Sequence, residues 1–346
     1  MSHRSNKQRN QFFQNRTRTR TTTNKIPPYI LIPLAGCTGT VLYTYYYFQD
    51  EMPFTKRRRL LATSTEWEQR VGDQEYQKLL HHYGTRGKIL PPSHRASLTV
   101  ERVGNRIAEA ASKFARQHHV QTYGSKYTYT VIRSDDANAF VLPNNHVFVL
   151  SGLFNFVHNE DDLAAVLGHE VAHNLARHAG ERVSSNILVS LIARCTLLID
   201  PSGVLYSLFL PAAALLHDLP HSRDHEVEAD YIGLHLVAEA CYDPRAARKV
   251  FRAMKDGEDH GHGKDHSHGH GKNKSNNHGR RALAPPEFMS THPSYDTRIS
   301  NFDDWMPAAM DKFNADAGYK CSRIRKEMKL ARAHAAKLAS QREGRS

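Results

Sequence analysis

Residues 164–178 read A-A-V-L-G-H-E-V-A-H-N-L-A-R-H, and the spacing of the histidines in this stretch decides the fold. At roughly 100° per residue, a helix carries His169 and His173 to within about 40° of one another on a single face. Two imidazoles so placed can ligate one zinc ion, and Glu170 beside them can take a proton from a water at the metal. Leu163, Leu167, Val171 and Leu175 form a separate apolar stripe that can enter a core while the histidines face a cleft. Continued along the same wheel, His178 falls about 160° from the pair, which assigns it to packing or capping. A third histidine six residues beyond His173 would mark a metzincin. Ala179 stands there instead, so that class is excluded.

A catalytic zinc needs a third protein ligand and an open position. Residues 219–230, L-P-H-S-R-D-H-E-V-E-A-D, open a helix that continues through Leu236. Glu226 and Asp230 share a face of it, while Glu228 points about 200° away from Glu226. Glu226 can therefore bind the metal while Asp230 accepts a hydrogen bond from a ligand imidazole. His225 is the competing ligand, and helical geometry alone does not separate the two.

Around this centre, 346 residues at 40% hydrophobic and 24% charged make an ordinary globular mixture with a buried core. The net charge of +12 is concentrated in two tails. Residues 1–49 hold seven Lys or Arg and no acid, and residues 320–346 hold nine basic against two acidic side chains. The body between them sums to −2, which argues against a nucleic-acid cleft. Residues 1–28 read as a basic presequence-like arm, and residues 320–346 as a basic C-terminal helix or tail. Residues 29–48 carry no charge over twenty positions, enough to span a hydrocarbon core of about 30 Å. Its terminal tyrosines, Tyr43, Tyr45, Tyr46 and Tyr47, suit a membrane interface. Lys56-Arg57-Arg58-Arg59 follows as flanking charge.

Residues 49–319 form the body. Residues 63–115 show two helical apolar series, Trp67, Val71, Tyr76, Leu79, Leu80 and then Leu98, Val100, Val103, Ile107, Ala111, around a G-K-I-L-P-P loop. Residues 126–133, 138–142 and 146–150 read as three short strands of a small antiparallel sheet, the last two joined at Pro143-Asn144-Asn145. Asn159 starts the metal-binding helix, which is expected to reach about His178. Residues 185–216 are apolar but interrupted by Arg194, Asp200, Pro201, Gly203 and Pro211. Two short core helices fit them better than a membrane-dipping hairpin. Residues 256–281, with His260, His262, His266, His268, His270 and His278, read as a flexible, solvated insertion rather than a metal store. Four scattered cysteines make no disulfide framework and no cysteine zinc site. A Cys241–Cys321 bond is the one pairing considered, and it is not the reading adopted.

H-E-V-A-H, then S-R-x-x-E-x-E-A-D about fifty residues later, with N-A-F-x-L-P before and H-P-x-x-x-x-R after, resembles the membrane gluzincins. These include bacterial HtpX and the type I CAAX prenyl proteases. The N-terminal anchor, the P-F-T-K-R-R-R segment after it and the E-V-E-A-D form look most like the Oma-type peptidases of the mitochondrial inner membrane. The resemblance covers roughly residues 50–255 and 285–302. It implies an α+β, mainly α, zincin-like domain holding one Zn2+ through His169, His173 and Glu226, with Glu170 as base. It implies that His292 and Arg298 stabilise the oxyanion, that Asp230 and Arg223 support the ligands, and that Asn138, Ala139 and Phe140 pair with substrate as an edge strand. It further implies a single-pass enzyme of the inner membrane, its domain facing the intermembrane space, that cleaves misfolded or regulated membrane proteins in quality control. Self-association is compatible with this reading and is left open. The alternative is a catalytically silent scaffold or chaperone of the same fold. A prenyl-peptide protease is disfavoured, because that class needs several spans enclosing a chamber. Asn144-Asn145-His146 replaces the family's usual small residues and leaves the turn geometry and substrate register in question.

Overall fold

The computed structural model describes residues 28–262, 295–316 and 321–330. The arm at 1–27, most of the His-rich insertion, and His292 lie outside the described residues. Helix α1 (Pro28–Tyr47) leads into a small antiparallel hairpin of β1 (Gln49–Glu51) and β2 (Arg58–Leu60). Then come α2 (Thr65–Gly84) and α3 (Arg95–His118), the strands β3 (Thr128–Ile132), β4 (Ala139–Val141) and β5 (His146–Leu150), and a 3-10 turn at Ser151–Asn155. The helices α4 (Glu160–Leu175), α5 (His178–Ile199), α6 (Val204–Glu239), α7 (Arg245–His262) and α8 (Tyr295–Asp316) complete the described domain with a last helical stretch at 321–330.

The sheet is mixed rather than antiparallel. Its order is β3-β5-β4, with β3 parallel and β4 antiparallel to β5. The antiparallel expectation assumed that consecutive strands are neighbours. Instead, residues 133–138 pass over the C-terminal end of β5, and the chain descends along β4 before β5 rises between the two. Ser151 Oγ accepts from the Ser134 amide at 3.0 Å and donates to the Ser134 carbonyl at 2.9 Å, pinning that crossing. The turn after β4 works because Asn145 adopts a left-handed conformation at φ 61°, which asparagine tolerates. Asn144 Oδ1 accepts from the His146 amide at 3.1 Å, and Asn174 Nδ2 donates to Asn145 Oδ1 at 2.6 Å. One face of β5 joins the main core, while Phe148 and Leu150 pack with Ile132 against Tyr76, Leu79 and Tyr83. Trp67, Val71 and Leu98, expected on packed faces, are exposed.

Helix α4 starts where Asn159 Oδ1 accepts from the Asp162 amide at 2.9 Å, with Glu160, Asp161 and Asp162 on the positive end of its dipole. It stops at Leu175, short of the expected His178. Arg177 turns left-handed at φ 55°, and its buried guanidinium reaches Glu68 at 2.5 Å and the Thr63 carbonyl at 2.8 Å. The chain reverses at this elbow into α5.

Residues 185–216 do fall into two helices, but these are long and partly exposed rather than short core helices; residues 185–199 are the first part. They belong to the continuous α5, which packs along α1 and leaves Ile187, Leu197 and Leu198 exposed. Of the described helices, α5 is the one long and apolar enough to cross a membrane. The tyrosines and threonines of α1 dilute its hydropathy. After Gly203, at φ 79°, α6 runs as one helix to Glu239, well before the expected start near residue 219. Cys241 and Cys321 form a disulfide with Cα atoms 5.2 Å apart, contrary to the reading adopted, and it ties the end of α6 to the last helical stretch. The backbone of α7 stays helical through His262, into the region read as flexible.

Helices α4 and α6 share the most extensive contact in the domain. They cross at Gly168 and Gly233. A Cβ on Gly233 would sit 3.0–3.1 Å from His169 N and from the carbonyl group of Gly168. Both partners are backbone and cannot swing aside. Gly233→Ala should therefore destabilise the fold by about 1–3 kcal/mol, read as a lowered denaturant midpoint. An unchanged midpoint would show that the crossing tolerates a methyl group.

Candidate metal centre

The crossing places α4's histidines against α6's carboxylates. His169 Nε2 and His173 Nε2 are 3.0 Å apart, and Glu226 brings Oε2 to 3.4 Å from the first and Oε1 to 3.3 Å from the second. Donors about 2.0–2.1 Å from a tetrahedral zinc stand roughly 3.3 Å from one another. The three side chains thus converge as a ligand set of two imidazoles and one carboxylate, a donor chemistry that suits zinc. His169 is 1% and Glu226 3% exposed, so three polar groups meet where little water can satisfy them. Glu170 is buried on the same helix, in the turn between the two histidines.

The choice between Glu226 and His225, open in the sequence, has a structural answer. His225 turns to the other side of α6, where its ring stacks on His178 at 4.2 Å and Nε2 lies 3.1 Å from Glu181. Asp230 Oδ1 is 2.9 Å from His169 Nδ1, the ring nitrogen that points away from the ligand cluster. That contact fixes the tautomer which leaves Nε2 free for a metal. Arg223 is exposed and joins no ligand contact among the described residues.

Arg298 reaches the ligand cluster from α8. It is 1% exposed, with Nε 2.7 Å and Nη2 2.8 Å from the Asp230 carboxylate and Nη1 3.1 Å from Glu226 Oε2. Its guanidinium also lies over the Phe251 ring at 4.5 Å. A cation that bridges two ligand-side carboxylates is placed to hold them in position. The resemblance implies a cation at the site but not which carboxylates it meets. His292, its expected companion, lies outside the described residues.

The electrostatics follow from these contacts. Burial pulls the His169 imidazole down, but hydrogen bonds to Asp230 and Glu226 outweigh it and hold the group up at about 9. Burial pushes the Asp230 carboxyl up, yet the Arg298 charge and hydrogen bonds from Arg298 and His169 hold it below the usual range. The pocket therefore stabilises positive charge at the point where the three donors meet, which a divalent ion supplies.

His178 is the residue that sequence reasoning misplaced. The wheel was extended past a helix end, and the left-handed Arg177 returns His178 toward the metal helix. Its Nδ1 lies 2.7 Å from His173 Nδ1, and its Nε2 is 2.9 Å from Glu228 Oε2. Asn138, Ala139 and Phe140 lie at or beside β4, on the sheet's edge and packed near α4. Asn138 Oδ1 is buried with no hydrogen-bond partner among the described residues.

The family model for peptidase family M48 matches residues 97–306. The chain belongs to peptidase family M48. It is 38% identical over 270 residues to the mitochondrial metalloendopeptidase OMA1 of Schizosaccharomyces pombe, covering 77% of this chain and 70% of that one. It is 32% identical to the Saccharomyces cerevisiae protein of the same name, over 81% of this chain and 74% of that one. The Bos taurus metalloendopeptidase OMA1 matches at 30% identity over 78% of this chain, which spans about half the length of that relative. The chain is thus an Oma-type metallopeptidase with a mainly helical zincin-like domain, and its family implies a catalytic metal.

Glu226→Gln should bind metal far more weakly than wild type, because it replaces an anionic ligand with a neutral amide. His225→Ala should keep the full metal content. Metal analysis of both purified variants checks the pair, and the opposite ranking would move the third ligand to His225.

Proposed function

We propose that this M48 peptidase is a zinc endopeptidase of the mitochondrial inner membrane that cleaves misfolded or regulated membrane proteins in quality control. The observation that carries the reading is the convergence of His169, His173 and Glu226 around Glu170, on a helix that turns directly into the apolar pair α1–α5. Zinc bound there would polarise the scissile carbonyl and make a water acidic enough to attack it. Glu170, buried between the two histidines, would act as general base on the attacking water and return the proton to the leaving amine. Asp230 keeps His169 in one tautomer, and Arg298 holds Glu226 and Asp230 in place. The outer edge of β4 is not paired among the described residues, so an extended peptide can add to the sheet there. In that arrangement the buried Asn138 Oδ1 can accept a substrate amide. The silent-scaffold alternative has no observation in its favour.

The membrane placement rests on α1 and α5 together. Leu31, Ile32 and Leu42 of α1 and Leu197 and Leu198 of α5 are exposed large apolar side chains, which water does not favour and lipid does. The catalytic helix ends three residues before α5 begins, so the active site lies near the lipid surface, where membrane-protein substrates emerge. The mitochondrial names of the relatives support the organelle. The Cys241–Cys321 bond supports a compartment that is not strongly reducing, in keeping with an intermembrane-space-facing domain.

Glu170→Gln should retain zinc and lose cleavage of an unfolded membrane protein by about 10²- to 10⁴-fold; near-normal cleavage by that variant would remove Glu170 from the reaction. With the protein in vesicles, a Leu198→Cys thiol should resist a water-soluble maleimide that labels a cysteine placed at Arg86. Equal labelling would take α5 out of the bilayer.

A further inference from the structure

The P-F-T-K-R-R-R segment that follows α1 would serve, by its charge, as flanking residues on lipid headgroups. The structure places much of it inside the domain. Met52 is fully buried, and Phe54 stacks on Tyr231 at 5.4 Å and meets Phe114 edge-on at 4.7 Å. Arg59 is buried with its Nε 2.8 Å from Asp50, and it also donates to the carbonyl of Ala176 at the α4–α5 elbow. Thr55 donates to Glu228. Arg57 donates from Nη1 and Nη2 to the two Glu181 oxygens at 2.7 and 2.6 Å, and from Nε and Nη2 to Glu228 Oε2 at 3.0 and 2.6 Å.

Glu228 is the link to the metal centre. When His173 offers Nε2 to a metal, its proton sits on Nδ1 and is donated to His178 Nδ1, 2.7 Å away. A neutral His178 accepting at Nδ1 must carry its own proton on Nε2, which then donates to Glu228 Oε2 at 2.9 Å. The chain of donors has one consistent direction, and it ends on a carboxylate held by Arg57. His169 is steadied by Asp230 and Arg298; His173 has the matching support of His178, Glu228 and Arg57.

We propose that Arg57 is a positioning residue for the metal site, fixing ligand His173 through Glu228 and His178 from a hairpin that begins directly after the first membrane helix. Arg57 lies ten residues beyond Tyr47, the last residue of α1. A shift of that helix against the domain is therefore transmitted to the ligand. His178, Glu181 and His225 also approach closely enough to suggest a second cation site. The Arg57 guanidinium already meets both Glu181 oxygens and supplies positive charge there, so the cluster is read as the cradle of Arg57. The inference rests on the zinc reading of the main site.

The test uses the full chain in lipid nanodiscs, loaded with one equivalent of zinc, with zinc release to an excess chromophoric chelator and steady-state cleavage both measured. Arg57→Met should release zinc about 10- to 100-fold faster than wild type, with kcat reduced and KM unchanged. Arg57→Lys should fall between them, because a point charge cannot span both carboxylates. Arg58→Met, at an exposed neighbour, should match wild type. If Arg57→Met does not fold, the charge-balanced pair Arg57→Gln with Glu181→Gln replaces it and should show the same faster release. Wild-type release from either folded variant overturns the positioning role. So does a wild-type stoichiometry of two zinc ions that His225→Ala reduces to one. Absence of zinc from wild type would instead overturn the zinc reading itself.

Discussion

Two helices from separate parts of the chain can share one metal only if their backbones come close, and in this peptidase that closeness depends on glycines. Ordinary side chains hold packed helices about 8–10 Å apart. At the crossing of α4 and α6, Gly168 and Gly233 remove the side chains that would enforce such a gap. Gly168 immediately precedes His169, and Gly233 lies three residues beyond Asp230. Bare backbone at this point lets Glu226 reach both imidazoles and Asp230 reach the back of His169. The catalytic geometry is thus a consequence of helix packing, with the chemistry carried on rigid elements rather than on loops.

The close approach creates an electrostatic problem that the surrounding elements solve. Glu226, Asp230, Glu228 and Glu181 are all buried near one another, an arrangement that is costly without nearby cations. Arg298 enters from α8 and Arg57 from the β1–β2 hairpin, each spanning two carboxylates. The cations come from opposite ends of the chain, so the site is complete only when the domain is closed. The elbow at Arg177 adds a third tie, linking the end of the metal helix to Glu68 at the start of α2. Helix α1, the hairpin, the elbow and the metal helix therefore form one mechanically connected unit.

Much of the site was readable because helical periodicity is exact enough over a few turns. The shared faces of His169 with His173 and of Glu226 with Asp230 follow from spacing, whereas spacing left Glu226 and His225 as competing ligands. Reading failed where geometry changed between elements. His178 was placed by extending a wheel across a left-handed residue that no local pattern announces. The contacts of Arg298 with Glu226 and Asp230 were not legible, because the resemblance supplies a cation at the site but not its partners. The sheet order was missed because β5 inserts between its two predecessors, a long-range choice. The break read at Asp200 to Gly203 does separate α5 from α6, but both helices run longer than that reading allowed, and Ile187, Leu197 and Leu198 are exposed rather than packed in a core. The Cys241–Cys321 bond joins positions eighty residues apart, a separation at which spacing carries no information. The basic run after the anchor was the subtlest case, since Arg57 and Arg59 look like surface charge until their buried partners are seen.

X-ray absorption at the zinc edge on the purified wild-type chain tests the central claim most directly. The account predicts one zinc per chain, surrounded only by nitrogen and oxygen at about 2.0–2.1 Å, with the multiple scattering of two imidazoles. A sulfur shell near 2.3 Å, a single imidazole, or no bound zinc would contradict it.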